Sequence, residues 1–332
     1  MRASSAKKSR CYKYAAIILL AVFLVSFSLI AIDLYDKNHG KFPTQPTVEQ
    51  YIERDGVKYE LKKNVEAFLV IGLDKMSDYD GVSDSYNNDK QADFIMLFVL
   101  DNKNKTVTPI HINRDTMAEM NVLGLNGNPV GSVTKQLALS YNYGNGGKIS
   151  CRNTLDAVSE LLLGVKINHY MSVTMDAVPI YNDLVGGVTL EVLDDFTGID
   201  DALVKGQTVT LSGSQALTYV RTREGLEDDT NVARMIRQKQ YLTALREKTV
   251  EKLDSDTQFA AELTVKMSDY LISDRSVTQM QELLNKFSSY EFTDTLDLEG
   301  ENKVGEKFME FYPDEDSILD TVIKAFYQVS DK

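Results

Sequence analysis

The chain has 332 residues, a formal net charge of -13, 43% hydrophobic residues and no tryptophan. This length and composition belong to a globular protein able to bury a sizeable core. Its acidity, without a basic stripe interleaved with aromatics, argues against nucleic acid as a partner.

Residues 1–13 form a basic tail carrying Arg2, Lys7, Lys8, Arg10 and Lys13 and no acid. Ala15 to Ile32 is then an unbroken run of apolar or small residues. With Tyr14 and Leu34 flanking it, the run approaches the ~20 residues that span a bilayer's hydrocarbon core. Residues 14–35 are therefore expected to form one transmembrane helix. A cleaved secretory signal fits less well, because the small-residue pattern near its end is poor and Asp33 follows at once. Basic residues ahead of the span place the N-terminus in the cytoplasm and the remainder outside the cell membrane. In that topology Cys11 and Cys151 lie on opposite sides and do not pair. Residues 36–50, with Pro43 and Pro46, read as an extracellular stalk, and 51–330 as one extracellular domain undivided by a Pro/Gly/Ser linker.

Within the domain, Asp55-Gly56 suits the tight turn of a hairpin over Tyr51 to Leu61. Ala67 to Leu73, Phe94 to Leu100 and Val107 to Ile112 are short apolar runs bounded by polar turns, the pattern of buried strands. Asp101 to Lys105 joins the last two as an antiparallel hairpin. If that hairpin folds about its midpoint, Asp93 and Arg114 emerge side by side at its open end. The carboxylate-rich stretch from Asp78 to Lys90 lacks the EF-hand pattern and reads as a solvated loop. A helix is expected over Asn153 to Leu163 with Gly164 as its stop, then a strand over Tyr170 to Val173. Asp183 to Val188 closes a further helix and opens a strand. Ser212-Gly213-Ser214-Gln215 has capping-box spacing, predicting a helix to about Tyr219, followed by Arg221 and Arg223 in extended chain. Another helix should start near Asp229 or Thr230 and carry Arg234 and Gln238 on one face. Further helical patterns run to Tyr327.

The chemistry resides in arginines gathered in an acidic chain. Tyr219-Val220-Arg221-Thr222-Arg223, Arg234-Met235-Ile236-Arg237-Gln238 and Asn113-Arg114-Asp115-Thr116 suggest a multiply charged anion, phosphate or pyrophosphate first, because the guanidinium fork matches its oxygens. Asp74 and Asp93 at strand ends suit a hard cation, or else cap a turn and pair with an arginine. His39, His111 and His169 lack metal-ligand spacing, and His111 within a strand suits a packed role, as does Cys151. There is no Gly-x-Ser-x-Gly elbow, Walker A loop or dinucleotide fingerprint.

At these residues the sequence resembles the LytR-CpsA-Psr family of cell-envelope phosphotransferases, from about Val65 to Arg246. The motifs are Gly72-Leu73-Asp74, Asp93, Asn113 to Thr116, Asp183 to Val188, Leu211 to Arg223 and Arg234 to Gln238. The resemblance implies an α/β fold with a mixed central sheet covered by helices on both faces. It also implies an outward-facing enzyme that moves a glycopolymer from a polyprenyl-pyrophosphate carrier to a peptidoglycan sugar hydroxyl through a phosphodiester. Asp74 and Asp93 would engage magnesium or manganese, with Asp93, Arg114, Arg221 and Arg223 catalytic. Arg234, Arg237, Gln238 and Gln91 would bind substrate, and an apolar pocket between sheet and helices would take the prenyl tail from the membrane. Two departures stand out: Gln91 where the family commonly has arginine, and Asn113 where it has proline. A non-catalytic binder of polyprenyl phosphates, a pyrophosphate hydrolase and a purely structural anchored domain remain open at this point.

Overall fold

The computed structural model describes residues 48–74, 90–124, 127–306 and 308–330. The basic tail, the 14–35 span, nearly all of the stalk and most of the 78–90 loop lie outside these residues. Among the described residues no helix is long and apolar enough to cross a membrane.

The domain opens with a hairpin, β1 (Tyr51–Arg54) and β2 (Val57–Leu61), followed by β3 (Val65–Leu73), β4 (Ala92–Asp101) and β5 (Thr106–Ile112). A second hairpin, β6 (Met117–Leu123) and β7 (Pro129–Gln136), precedes α1 (Lys148–Leu161), β8 (His169–Val173) and α2 (Ala177–Leu184). Next come β9 (Val188–Glu191), β10 (Thr208–Leu211), α3 (Gly213–Arg221), α4 (Asn231–Ser255) and α5 (Phe259–Met267). The chain continues through β11 (Leu271–Ser273), α6 (Val277–Ser289), β12 (Glu291–Phe292) and β13 (Leu296–Asp297). It closes with the hairpin β14 (Gly300–Val304) and β15 (Met309–Pro313), then α7 (Glu315–Phe326) and β16 (Tyr327–Val329).

The central sheet has the order β11-β8-β3-β4-β5-β12, with β13 also on β5. β3, β4 and β5 run antiparallel to one another, while β8 is parallel to β3 and both β12 and β13 are parallel to β5. The sheet is thus mixed, as expected. Strand alternation sorts the side chains by face. Ala67, Leu69, Ile71 and Leu73 pack with α1 and α7 residues such as Leu155, Val158, Val322 and Phe326. Phe68, Val70, Phe98 and Leu100 face Leu283 and Phe287 of α6 on the other side. Burial on both faces explains why these strands read as nearly continuous apolar runs. At the Asp55-Gly56 turn both residues have positive φ, 52° and 75°, the geometry that makes this dipeptide a hairpin turn.

The structure departs from the sequence expectations at several boundaries. α1 starts at Lys148, five residues before Asn153, because its first turns bury polar groups rather than apolar ones. Ser150 Oγ accepts the Gly146 N–H at 2.9 Å, and Asn153 Nδ2 donates to the Ser140 carbonyl at 2.8 Å. α3 keeps its capping box at Ser212 but runs on to Arg221, two residues beyond Tyr219. Between Asp256 and Tyr327 the helices are interleaved with β11 to β15, strands of two to five residues that are too short to show an alternation. Cys151 is buried 3.4 Å from Ser172 Oγ, and burial pushes its thiol up to about 11, the state of a packed residue.

One buried carboxylate ties stability to pH. Asp156 on α1 has a buried Oδ2 with no hydrogen-bond partner among the described residues, and burial raises its carboxyl to about 7. The folded state therefore holds this proton more tightly than the unfolded chain does, and its stabilising contribution is lost as pH rises from about 4 through about 7. Asp156→Asn should accordingly raise the melting temperature at pH 8 and leave it nearly unchanged at pH 4. Equal shifts at both pH values would refute the assignment.

Candidate functional site

The site forms where β3, β4 and β5 end together. The Asp74 N–H donates to the Gln91 carbonyl at 3.2 Å and the Gln91 N–H returns to Asp74 Oδ1 at 2.9 Å, clipping the ends of β3 and β4. A register shift between Gly72 and Leu73 accompanies the clip. Glycine is needed there, since a Cβ on Gly72 would meet the Phe94 Cβ at 2.8 Å. The β4–β5 register pairs Ile95 with Ile112, which carries Asp93 and Arg114 to opposite positions at the open end. Their side chains do meet: Arg114 Nη1 donates to Asp93 Oδ1.

Three further guanidinium or carboxylate groups converge on this pair. Arg234, on the first turn of α4 and only 3% exposed, donates from Nη1 to Asp93 Oδ2 at 3.0 Å and from Nη2 to the Asp93 carbonyl at 3.3 Å. Asp115 Oδ1 lies 3.3 Å from Arg114 Nε and accepts from Gln136 Nε2 at 3.1 Å. Arg223 is half-buried, close enough for its charge to act on both Asp115 and Arg234. Burial raises the Asp115 carboxyl above its ordinary range even though Arg114, Arg223 and Arg234 pull it down. Burial also lowers Arg234, and crowding by Arg223 and Arg114 adds to this against the pull of Asp93. Guanidinium groups pressed together in this way favour an anion between them.

The other nominated residues divide. Gln91 Oε1 accepts from Arg114 Nη2 at 3.2 Å, so the glutamine orients the arginine. Gln238 donates from Nε2 to the Val220 carbonyl at 3.1 Å, and its buried Oε1 has no hydrogen-bond partner among the described residues. Arg221 is exposed on the last turn of α3, so the expected extended alternation that would send it to the same side as Arg223 does not apply. Arg237 turns inward: Nε donates to the Tyr219 carbonyl at 3.0 Å, Nη2 to the Thr222 carbonyl and Nη1 to Asp194. All three of its nitrogens are engaged within the protein, which makes it a pin for the end of α3. The sequence reading assigned no role to Asp115, Asn231, Gln136 or Asp194. Asn231, three residues before Arg234 on the same helix, carried a spacing signal.

Behind the mouth lies an apolar chamber of about 560 Å³ between the second face of the sheet and helices α4, α5 and α6. Phe68, Met96, Leu242, Leu263, Leu283 and Phe287 line it, and Gln238 and Val220 stand at its arginine end. His111, packed at 5.1 Å from Phe94, is fully buried and held neutral, pushed down to about 3 by burial.

Fold and site together define an α/β domain in which a cationic cluster at the strand ends adjoins an apolar chamber lined in part by Gly72, Leu73 and Phe94, a form that suits a ligand with an anionic head and an apolar tail. The LytR_cpsA_psr family model matches residues 29–325, and the chain belongs to that family. It is 26% identical over 260 residues to the polyisoprenyl-teichoic acid–peptidoglycan teichoic acid transferase TagU of Bacillus licheniformis, covering 78% of this chain and 76% of the relative. The corresponding TagV of Bacillus subtilis is 28% identical over 253 residues, 73% of this chain and 58% of that one. Among solved structures, Bacillus subtilis TagV superposes with a TM-score of 0.58 at 24% identity, over 80% of this chain and 98% of that one. TagT bound to LIIa-WTA gives 0.59 at 20% identity, over 83% and 95%. These likenesses carry the fold.

Proposed function

We propose that the chain is a phosphotransferase that moves a glycopolymer of the teichoic-acid class from a polyprenyl-pyrophosphate carrier to a peptidoglycan sugar hydroxyl. The observation that carries this reading is the convergence of Arg114, Arg223 and Arg234 around Asp93 and Asp115, at strand ends whose neighbours Gly72, Leu73 and Phe94 line an apolar chamber. Two relatives named as polyisoprenyl-teichoic acid–peptidoglycan teichoic acid transferases support the substrate class. The acceptor oxygen attacks the phosphorus nearest the sugar, the bond to the lipid phosphate breaks, and the acceptor's proton passes to Asp74 or Asp93. Lipid monophosphate leaves, and the arginines stabilise the charge that builds on its oxygens. The prenyl tail occupies the chamber, with the 14–35 span holding the domain beside the outer face of the membrane.

Asp74 and Asp93 form an oxygen-only donor pair at adjoining strand ends. That set suits magnesium or manganese completing its shell with phosphate oxygens and water. When bound, such a cation supplies Lewis-acid stabilisation of the phosphoryl oxygens.

The test is transfer by the full-length protein in detergent, given a lipid-linked pyrophosphate donor, magnesium and peptidoglycan oligomers. Lipid monophosphate and a labelled acceptor should appear together. Phosphate-terminated glycan without an adduct would make the protein a hydrolase. Lipid binding that survives Asp74→Ala and Asp93→Ala with no product would make it a binder.

A further inference from the structure

We infer that Asn113 and Asn231 form a one-way amide relay that sets the guanidinium of Arg234 for the anion, which makes both asparagines positioning residues of the mouth. The inference rests on the transferase reading above. Both side chains are buried beneath the arginines. The main chain fixes the first amide, because Asn113 Oδ1 accepts the Asp115 N–H at 2.9 Å. The same oxygen accepts from Asn231 Nδ2 at 2.8 Å, so the second amide also has only one orientation. Its Oδ1 is thereby turned to Arg234, whose Nη2 donates to it at 2.7 Å.

The consequence is read on Arg234 itself. Nη2 serves Asn231 and the Asp93 carbonyl, and Nη1 serves Asp93 Oδ2. Nε is buried with no hydrogen-bond partner among the described residues, a donor held ready for a phosphate oxygen. The relay thus links the turn after β5, the first turn of α4 and the end of β4, and decides which edge of the guanidinium faces the ligand. A proline at 113 would supply no such acceptor, so the relay depends on asparagine at that position.

The polarity of the relay makes a prediction that simple charge pairing does not. Asn231→Asp brings a carboxylate next to Arg234, which charge alone would favour, yet it removes the side-chain donor to Asn113 Oδ1, leaving that oxygen the Asp115 N–H, and sets two oxygens against each other. Asn113 cannot turn over to compensate without abandoning the Asp115 N–H. Asn113→Asp keeps an acceptor for both N–H groups. The two variants add the same charge at the two ends of one hydrogen bond, so the difference between them reports the bond.

The measurement uses full-length protein in detergent, with calorimetric binding of inorganic pyrophosphate and steady-state transfer from the lipid-linked donor. Asn231→Asp should bind pyrophosphate about tenfold more weakly than Asn113→Asp, the scale of one buried hydrogen bond left unmade. Its KM for the donor should rise by more than its kcat falls, and the melting temperatures of the two variants should stay together. Equal affinities for the two variants, or a loss that follows melting temperature, would overturn the relay. Wild-type protein that binds no pyrophosphate overturns relay and transferase reading together. The expected split between variants in a protein that transfers nothing supports the relay and removes the transferase reading alone.

Discussion

Replacing Arg234 with alanine is expected to lower the rate of glycopolymer transfer by about 10²–10³, the loss typical of one preorganised donor to developing charge. The residue is bonded to both Asp93 Oδ2 and the Asp93 carbonyl, and its buried Nε has no hydrogen-bond partner among the described residues. Without it Asp93 keeps Arg114 as its partner but loses half of its compensation, and the anion loses a donor that is 3% exposed and held away from bulk water. Lysine should not rescue the rate. An ammonium is a point charge that cannot bridge Asp93, Asn231 and a phosphate at once. Single-turnover release of lipid monophosphate checks this directly, and a variant within threefold of wild type would remove Arg234 from the reacting centre.

Arg237→Ala should show the opposite profile, a large loss of stability. Its side chain is 1% exposed, and removing it leaves the Tyr219 and Thr222 carbonyls and the Asp194 carboxylate without their buried donor. Breaking a buried pair of this kind costs about 3–5 kcal/mol, which for a domain of this size lowers the melting temperature by roughly 10 °C. Phe196, whose ring lies 5.6 Å from the guanidinium, loses its partner as well. Arg223 follows directly on the segment that Arg237 pins, so transfer should weaken even where the variant remains folded. A thermal melt unchanged from wild type would return Arg237 to the ligand-binding set in which the family resemblance first placed it.

These two arginines show how far the site was legible in the sequence. Arg234 and Gln238 share one face of α4 by helical spacing, and the family resemblance assigns Arg234, Arg237 and Gln238 alike to substrate. The decision between them depends on where the carbonyl end of α3 comes to rest, and that is a contact between helices. Gln91 shows the same limit: by sequence it is a missing charge, whereas in the structure its Oε1 accepts from Arg114. By contrast, Asp93 beside Arg114 was legible, because a hairpin with one short turn has a register set by counting residues.

The acidic composition, the apolar N-terminal run, β1 to β5, the Ser212 capping box and the arginine motifs are all readable from the amino-acid order, since they rest on local rules of period, turn chemistry and spacing. It is tertiary contact that settles which arginines gather on Asp93, that Arg237 pins α3, and that Asn231 meets Asn113 from 118 positions away. Those outcomes depend on pairings between distant segments, whose closure and packing energies leave no periodic trace in either segment alone.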